Sequence, residues 1–112
     1  MRPTPTFTGN RIIVGDRSWS VPYPVADARR IGDRIVAVYD YMAGPKDGAF
    51  YNLEAFDDAG QKLWTAEHPG TGTTDAYVEF LCDDPLIMWN FACFRCKIDP
   101  ENGKLLHAQF TK

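Results

Sequence analysis

Apolar positions in this 112-residue chain recur in short alternating runs rather than at helical spacing. Arg34–Tyr41 shows the pattern best: on an extended strand Ile35, Ala37, Tyr39 and Tyr41 share one face, and Val36, Val38 and Asp40 the other. Apolar residues on both sides predict burial on both faces, hence stacked sheets rather than one sheet with a wet side. The same β-rich texture marks Arg11–Val14, Arg17–Val21, Ala28–Ile31, Tyr51–Phe56, Lys62–Ala66, Ala76–Leu81, Leu86–Phe91, Phe94–Asp99 and Lys104–Phe110. The breaks have turn chemistry: Gly9-Asn10, Gly15-Asp16, Gly32-Asp33, Asp57-Asp58-Ala59-Gly60 and Asp99-Pro100-Glu101-Asn102-Gly103 supply residues that accept positive φ or pre-set a turn. The expected fold is therefore all-β, with antiparallel meanders of about nine to eleven short strands in sheets packed as a sandwich or open barrel. Residues 25–31 leave a second option, since Asp27 is placed to cap two turns of helix ending at Gly32. Pro3 and Pro5 predict an extended or frayed start within residues 1–8.

An internal repeat adds to this picture. Phe56-Asp57-Asp58-Ala59-Gly60-Gln61-Lys62-Leu63-Trp64-Thr65-Ala66 aligns without a gap on Ile98-Asp99-Pro100-Glu101-Asn102-Gly103-Lys104-Leu105-Leu106-His107-Ala108, at an offset of 42 residues. That offset lies within the roughly 40–45-residue period of four-stranded propeller blades. Arg17-Ser18-Trp19-Ser20-Val21 reads as a third, poorer copy of Lys62–Ala66.

Together, Asn52–Trp64 and Cys96–Leu106 resemble the outer hairpin of the pyrroloquinoline-quinone-type propeller repeat, which runs apolar-Asp-turn-Gly-Lys-x-Leu-Trp. The resemblance implies propeller-blade-like sheets, with units over about 26–67 and 75–112 and an N-terminal hairpin before them, all in one domain of residues 1–112. Leu106 stands where the repeat has Trp64. A ring takes about four to eight blades, so the quinone cofactor and dehydrogenase activity of that family carry over to no residue here, and no cofactor is expected. Open meanders leave strand edges to cover, which makes a homodimer the expected assembly.

Composition narrows the partners. A 45% apolar and 13% aromatic content builds a real core, and 12 basic against 15 acidic residues give a net charge of −3. A phosphate backbone needs a clustered basic surface, so nucleic acid is not an expected partner. No stretch approaches the ~18 apolar residues of a membrane span, and the N-terminal residues lack the apolar run of a secretory signal. Cys82, Cys93 and Cys96 are an odd number of cysteines and read as reduced thiols, which points to the cytoplasm.

Candidate chemistry is sparse. Cys93-Phe94-Arg95-Cys96 has C-x-x-C spacing, but it joins two strands rather than opening a helix that would acidify its first thiol. With Cys82 it forms the only metal-site candidate, against the ordinary role of cysteine as a small buried apolar residue. Asp57-Asp58 and Asp83-Asp84 read as turn formers. Gly70-Thr71-Gly72 lacks the Gly-Lys-Ser/Thr of a phosphate loop. The segment 41–51 is long for a hairpin and mixes Tyr41, Met42, Phe50 and Tyr51 with two glycines and a proline, a composition suited to recognition. His68 heads a second polar loop.

These features predict a binding or protein-interaction module without catalytic activity. Its contact residues would be Tyr41, Met42, Phe50, Tyr51 and His68, and its partner another protein, a second copy of itself or a small ligand. The alternative is a small hydrolase or metal-dependent enzyme using His68 or His107 with Asp75 or Asp84. A third reading, a toxin-neutralising inhibitor, suits the small acidic frame.

Overall fold

Hairpin follows hairpin to build three antiparallel sheets in a computed structural model that describes residues 3–70 and 72–111. The first sheet holds β1 (Thr6–Thr8), β2 (Arg11–Val14) and β3 (Arg17–Ser20). The second holds β4 (Val25–Ile31), β5 (Arg34–Tyr39), β6 (Leu53–Phe56) and β7 (Lys62–Thr65). The third holds β8 (Tyr77–Cys82), β9 (Ile87–Asn90), β10 (Phe94–Ile98) and β11 (Leu105–Phe110). One turn of 3₁₀ helix, Gly72–Thr74, precedes β8, and no helix among the described residues is long and apolar enough to cross a membrane.

Packing follows the two-sided pattern of β5. Ile35, Ala37 and Tyr39 join Ile12, Val14, Val25, Phe50 and Phe56 in a core between the first and second sheets. Val36 and Val38 join Leu53, Ala55, Trp64, Tyr77, Met88, Cys96 and Ile98 between the second and third. The architecture is thus open sheets packed face to face in three layers, with the second sheet in the middle, and not a closed barrel.

Two alternatives that the sequence left open are decided here. Residues 25–31 form a strand, not a helix: the three-residue spacing of Val25, Ala28 and Ile31 that mimics a helix comes from a bulge after Val25 and from Ala28 and Ile31 facing opposite cores. Of the extended and frayed alternatives for the start, Thr6–Thr8 takes the extended one, pairing with Arg11–Ile13, and Pro5 is buried. Met1 and Arg2 lie outside the described residues.

Successive layers are joined by one contact made twice. The last strand of a sheet carries a tryptophan that lies on a glycine in the final turn of the next: Trp19 of β3 on Gly60, and Trp64 of β7 on Gly103. A Cβ at either glycine would lie 2.6 Å from the indole, and φ is +85° and +77° there, so only glycine fits. The Trp64 indole N–H also donates to the Pro100 carbonyl at 2.8 Å.

Candidate functional site

Three connections meet at one end of the second and third sheets: 40–52 after β5, 66–76 after β7 and 91–93 after β9. Buried polar side chains tie them together. Asn52 is fully buried. Its Nδ2 donates to the carbonyls of Tyr39 (2.9 Å) and Tyr77 (2.7 Å), and its Oδ1 accepts from the Tyr77 amide (2.8 Å). Asp75, also buried, accepts from the Gly70 amide at 3.0 Å and from Asn90 Nδ2 at 3.3 Å, while its own carbonyl accepts from the Phe50 amide at 2.8 Å. Each strand exit is thereby locked to the next loop, since an unpaired buried amide costs about 1–3 kcal/mol.

This frame holds an apolar cavity of about 150 Å³ lined by Tyr41, Met42, Pro45, Phe50, Ala76 and Phe91, with Lys46 and Thr73 its polar members. Asp40 turns the chain into it by accepting the Met42 amide on its carboxylate (2.9 Å) and the Ala43 amide on its carbonyl (3.0 Å). Lys46 Nζ donates back to the Met42 carbonyl at 2.9 Å. Tyr41 stacks on Phe91 with ring centres 5.2 Å apart and planes 29° apart. Met42 is 62% exposed and Phe91 52%, so the cavity opens onto an apolar surface.

The sequence-predicted contact residues divide. Tyr41 and Met42 line the cavity from outside. Phe50 is a core residue, 4% exposed, set edge-on to Tyr23 at 4.7 Å and against Gly44, and it forms the cavity floor. Tyr51 and His68 pair with each other at 5.2 Å and do not line the cavity. Sequence reasoning missed Phe91, which reads there as a strand end, and the buried Asn52 and Asn90, and it named Asp75 only as a possible catalytic partner, not as a buried loop tie. The legible trace of Asn52 was a polar residue interrupting the apolar run 50–56.

His68 stacks on Tyr77 at 4.6 Å with planes 19° apart, and its Nε2 lies 2.7 Å from the Phe50 carbonyl oxygen. That oxygen only accepts, so Nε2 carries the proton and the lone pair sits on Nδ1, which is buried and finds no partner among the described residues. Burial holds the His68 pKa below the ordinary histidine value, against the opposing pull of the Phe50 hydrogen bond and the Asp75 charge. His68 does not line the cavity. His107 lies on β11, at one edge of the third sheet, and Asp84 in the turn that joins β8 to β9, with β10 between β11 and β9.

The cysteines do not assemble. Cys82 ends β8, Cys93 sits in the β9–β10 turn at φ +71°, and Cys96 is buried facing the second sheet. Burial pushes the Cys96 thiol up to about 11, although the Tyr77 hydroxyl beside it favours the thiolate. Among the described residues no three His, Cys, Asp or Glu are placed to hold a metal ion. Thr71 of the glycine pair Gly70-Gly72 lies outside the described residues. A second, charged cleft of about 260 Å³ lies among the turns after β4, β8 and β10. Its Arg34 pairs with Glu101 at 3.1 Å and Asp33 at 3.3 Å, and Asp83 pairs with Arg29 at 2.9 Å.

The chain belongs to a family described as a domain of unknown function, DUF7957, whose model matches residues 3–110. No curated protein and no solved structure matches it.

Proposed function

We propose that this DUF7957 domain is a protein-binding module that receives one apolar side chain of a partner between Tyr41, Met42 and Phe91. The observation carrying the reading is the cavity itself. A site for a whole cofactor or metabolite usually encloses about 300–1,000 Å³, whereas a cavity near 150 Å³ accepts a single ring-sized group. The exposed thioether and the stacked aromatic pair around it supply the adaptable apolar rim on which such anchors dock, and the Lys46 ammonium favours a partner with acidic groups beside the anchor. Three free thiols suit a reducing compartment, and the cytoplasm is the proposed location. The blade-like sheets and the repeated tryptophan–glycine contact support a relationship to propeller repeats at the level of architecture.

Affinity capture from the source cells with the native domain, Met42→Lys and Phe91→Lys as parallel baits tests the reading. A partner recovered by the native domain and lost from both variants, with Leu63→Lys retaining it, supports the site. A partner held equally by all baits overturns it.

A further inference from the structure

Among the described residues six strands stand at sheet edges, and five of them are short or carry charge. β1 has three residues, β3 carries Arg17 and β7 Lys62. β4 carries Asp27, Arg29 and Arg30 and a bulge, and β8 carries Glu79 and two register shifts. These are the devices that keep an edge from pairing with another chain. β11 has one register shift, which leaves Leu106 without a partner on β10, but differs otherwise: Leu105-Leu106-His107-Ala108-Gln109-Phe110 has six residues, no proline and no Lys, Arg, Asp or Glu, and Leu106 and Phe110 are 55% and 58% exposed.

Its backbone register shows which groups are open. The Thr111 amide donates to the Cys93 carbonyl at 2.8 Å, and β10 and β11 pair Phe94 with Phe110, Arg95 with Gln109 and Lys97 with His107. Residues 107, 109 and 111 therefore direct their backbone groups toward β10, and by strand alternation Ala108 and Phe110 direct theirs to the open side. At the other end the Leu105 amide is taken by the Glu67 carboxylate at 2.7 Å, which leaves the open stretch centred on Ala108.

We propose that β11 is the interface for a second copy of this chain, the two β11 strands pairing antiparallel about a twofold axis at Ala108. The sequence is self-complementary in that register. Ala108 faces Ala108 of the other copy and exchanges two backbone hydrogen bonds across the axis. Leu106 faces Phe110 in both halves, so the two exposed apolar side chains cover each other, and His107 faces Gln109, a pair able to hydrogen-bond. No formal charge meets a like charge across the two strands. The third sheets of two chains become one eight-stranded sheet, twice the 4-stranded sheet of each. The cavity between Tyr41 and Phe91 plays no part in it, so this interface stands or falls separately from the binding site above.

Light scattering behind size exclusion tests it on the full chain with three variants. The native protein is expected at about 25 kDa, twice the 12.6 kDa chain. Leu106→Lys, which charges the edge at an exposed position, and Ala108→Pro, which removes only an outward amide, are each expected to halve the mass with an unchanged far-UV spectrum. Leu63→Lys on the β7 edge is expected to keep the dimer. A native protein that stays at 12.6 kDa overturns self-pairing and leaves the edge to a different partner. A dimer that survives both Leu106→Lys and Ala108→Pro overturns it as well, and Leu106→Lys decides alone should the proline variant not fold.

Discussion

Asn52 does more than any other single residue to place the loops. It satisfies two carbonyls and one amide on two different sheets, none of which water can reach. Asn52→Ala removes every one of these bonds while leaving the backbone groups buried, and is expected to cost about 3 kcal/mol, read from urea unfolding. A loss below about 1 kcal/mol would mean that the loops are held by their apolar contacts alone. His68 contributes a pH dependence of definite sign. Its folded pKa lies below the ordinary histidine value of 6.5, so between the two the unfolded chain binds the extra proton. The contribution of neutral His68 is present above 6.5 and is lost as the pH falls through the folded value. His68→Phe keeps a ring on Tyr77 but has nothing to protonate. Melting temperatures followed downward from neutrality are expected to drop less steeply for the variant than for the native protein, and parallel profiles would remove His68 from the acid response.

At the scale of elements, strands were legible where alternation and turn chemistry agree. Arg11–Val14 has the same bounds in sequence and structure, and β5 revealed its two buried faces through Ile35, Ala37 and Tyr39 against Val36 and Val38. What was not legible depends on partners distant in sequence. β4 begins at Val25 because Tyr39 pairs with it across a bulge, and β1 exists because β2 offers it an edge. Tyr41 and Met42 announced themselves by their loop, but Phe91 joins them only through the stacking of the sheets, and the burial of Asp75 and Asn90 is wholly tertiary. The gapless repeat set Trp64 over Leu106, whereas the turn glycines Gly60 and Gly103 are structurally equivalent and set Trp64 over His107. The clasp those glycines make is testable. Gly103→Ala puts a methyl 2.6 Å from the Trp64 ring and 3.2 Å from the Thr65 carbonyl, at φ +77°. Left-handed strain of about 1–2 kcal/mol adds to overpacking of similar size, so an expected loss near 3 kcal/mol follows. Gly9→Ala has φ +54° and nothing within 4 Å, and should lose only the strain. Equal losses for the two would show that the indole yields without cost.

For the whole molecule, the order of layers sets what each sheet can do. The outer face of the first sheet presents Thr6, Thr8, Ser18 and Ser20 around Arg11, whose guanidinium donates to both serine hydroxyls at 3.1 Å. The outer face of the third presents Glu79, Arg95, Lys97, His107 and Gln109 around the half-buried Trp89 and Ile87, with His107 at the position that Trp64 fills one layer earlier. Polar residues thus cap both ends of the stack around a few apolar side chains, Ile13 in the first sheet and Trp89 and Ile87 in the third, which disfavours further face-to-face stacking. Growth of the assembly is left to edges, where β11 is the unguarded one. The middle sheet has no such cap: Ile35, Ala37, Tyr39 and Phe56 are covered only by the first sheet and the loop residues packed with it. A chain starting at residue 22 would keep both four-stranded sheets and their shared core yet open that face to water. It is expected to retain far-UV strand signal, bind an apolar dye and melt at lower temperature with a broader transition, since the exposed core is worth about 25 cal/mol for each Å² uncovered. A truncated chain with native melting behaviour and no dye binding would show that the second and third sheets suffice as a unit, and that the first serves only as a lid.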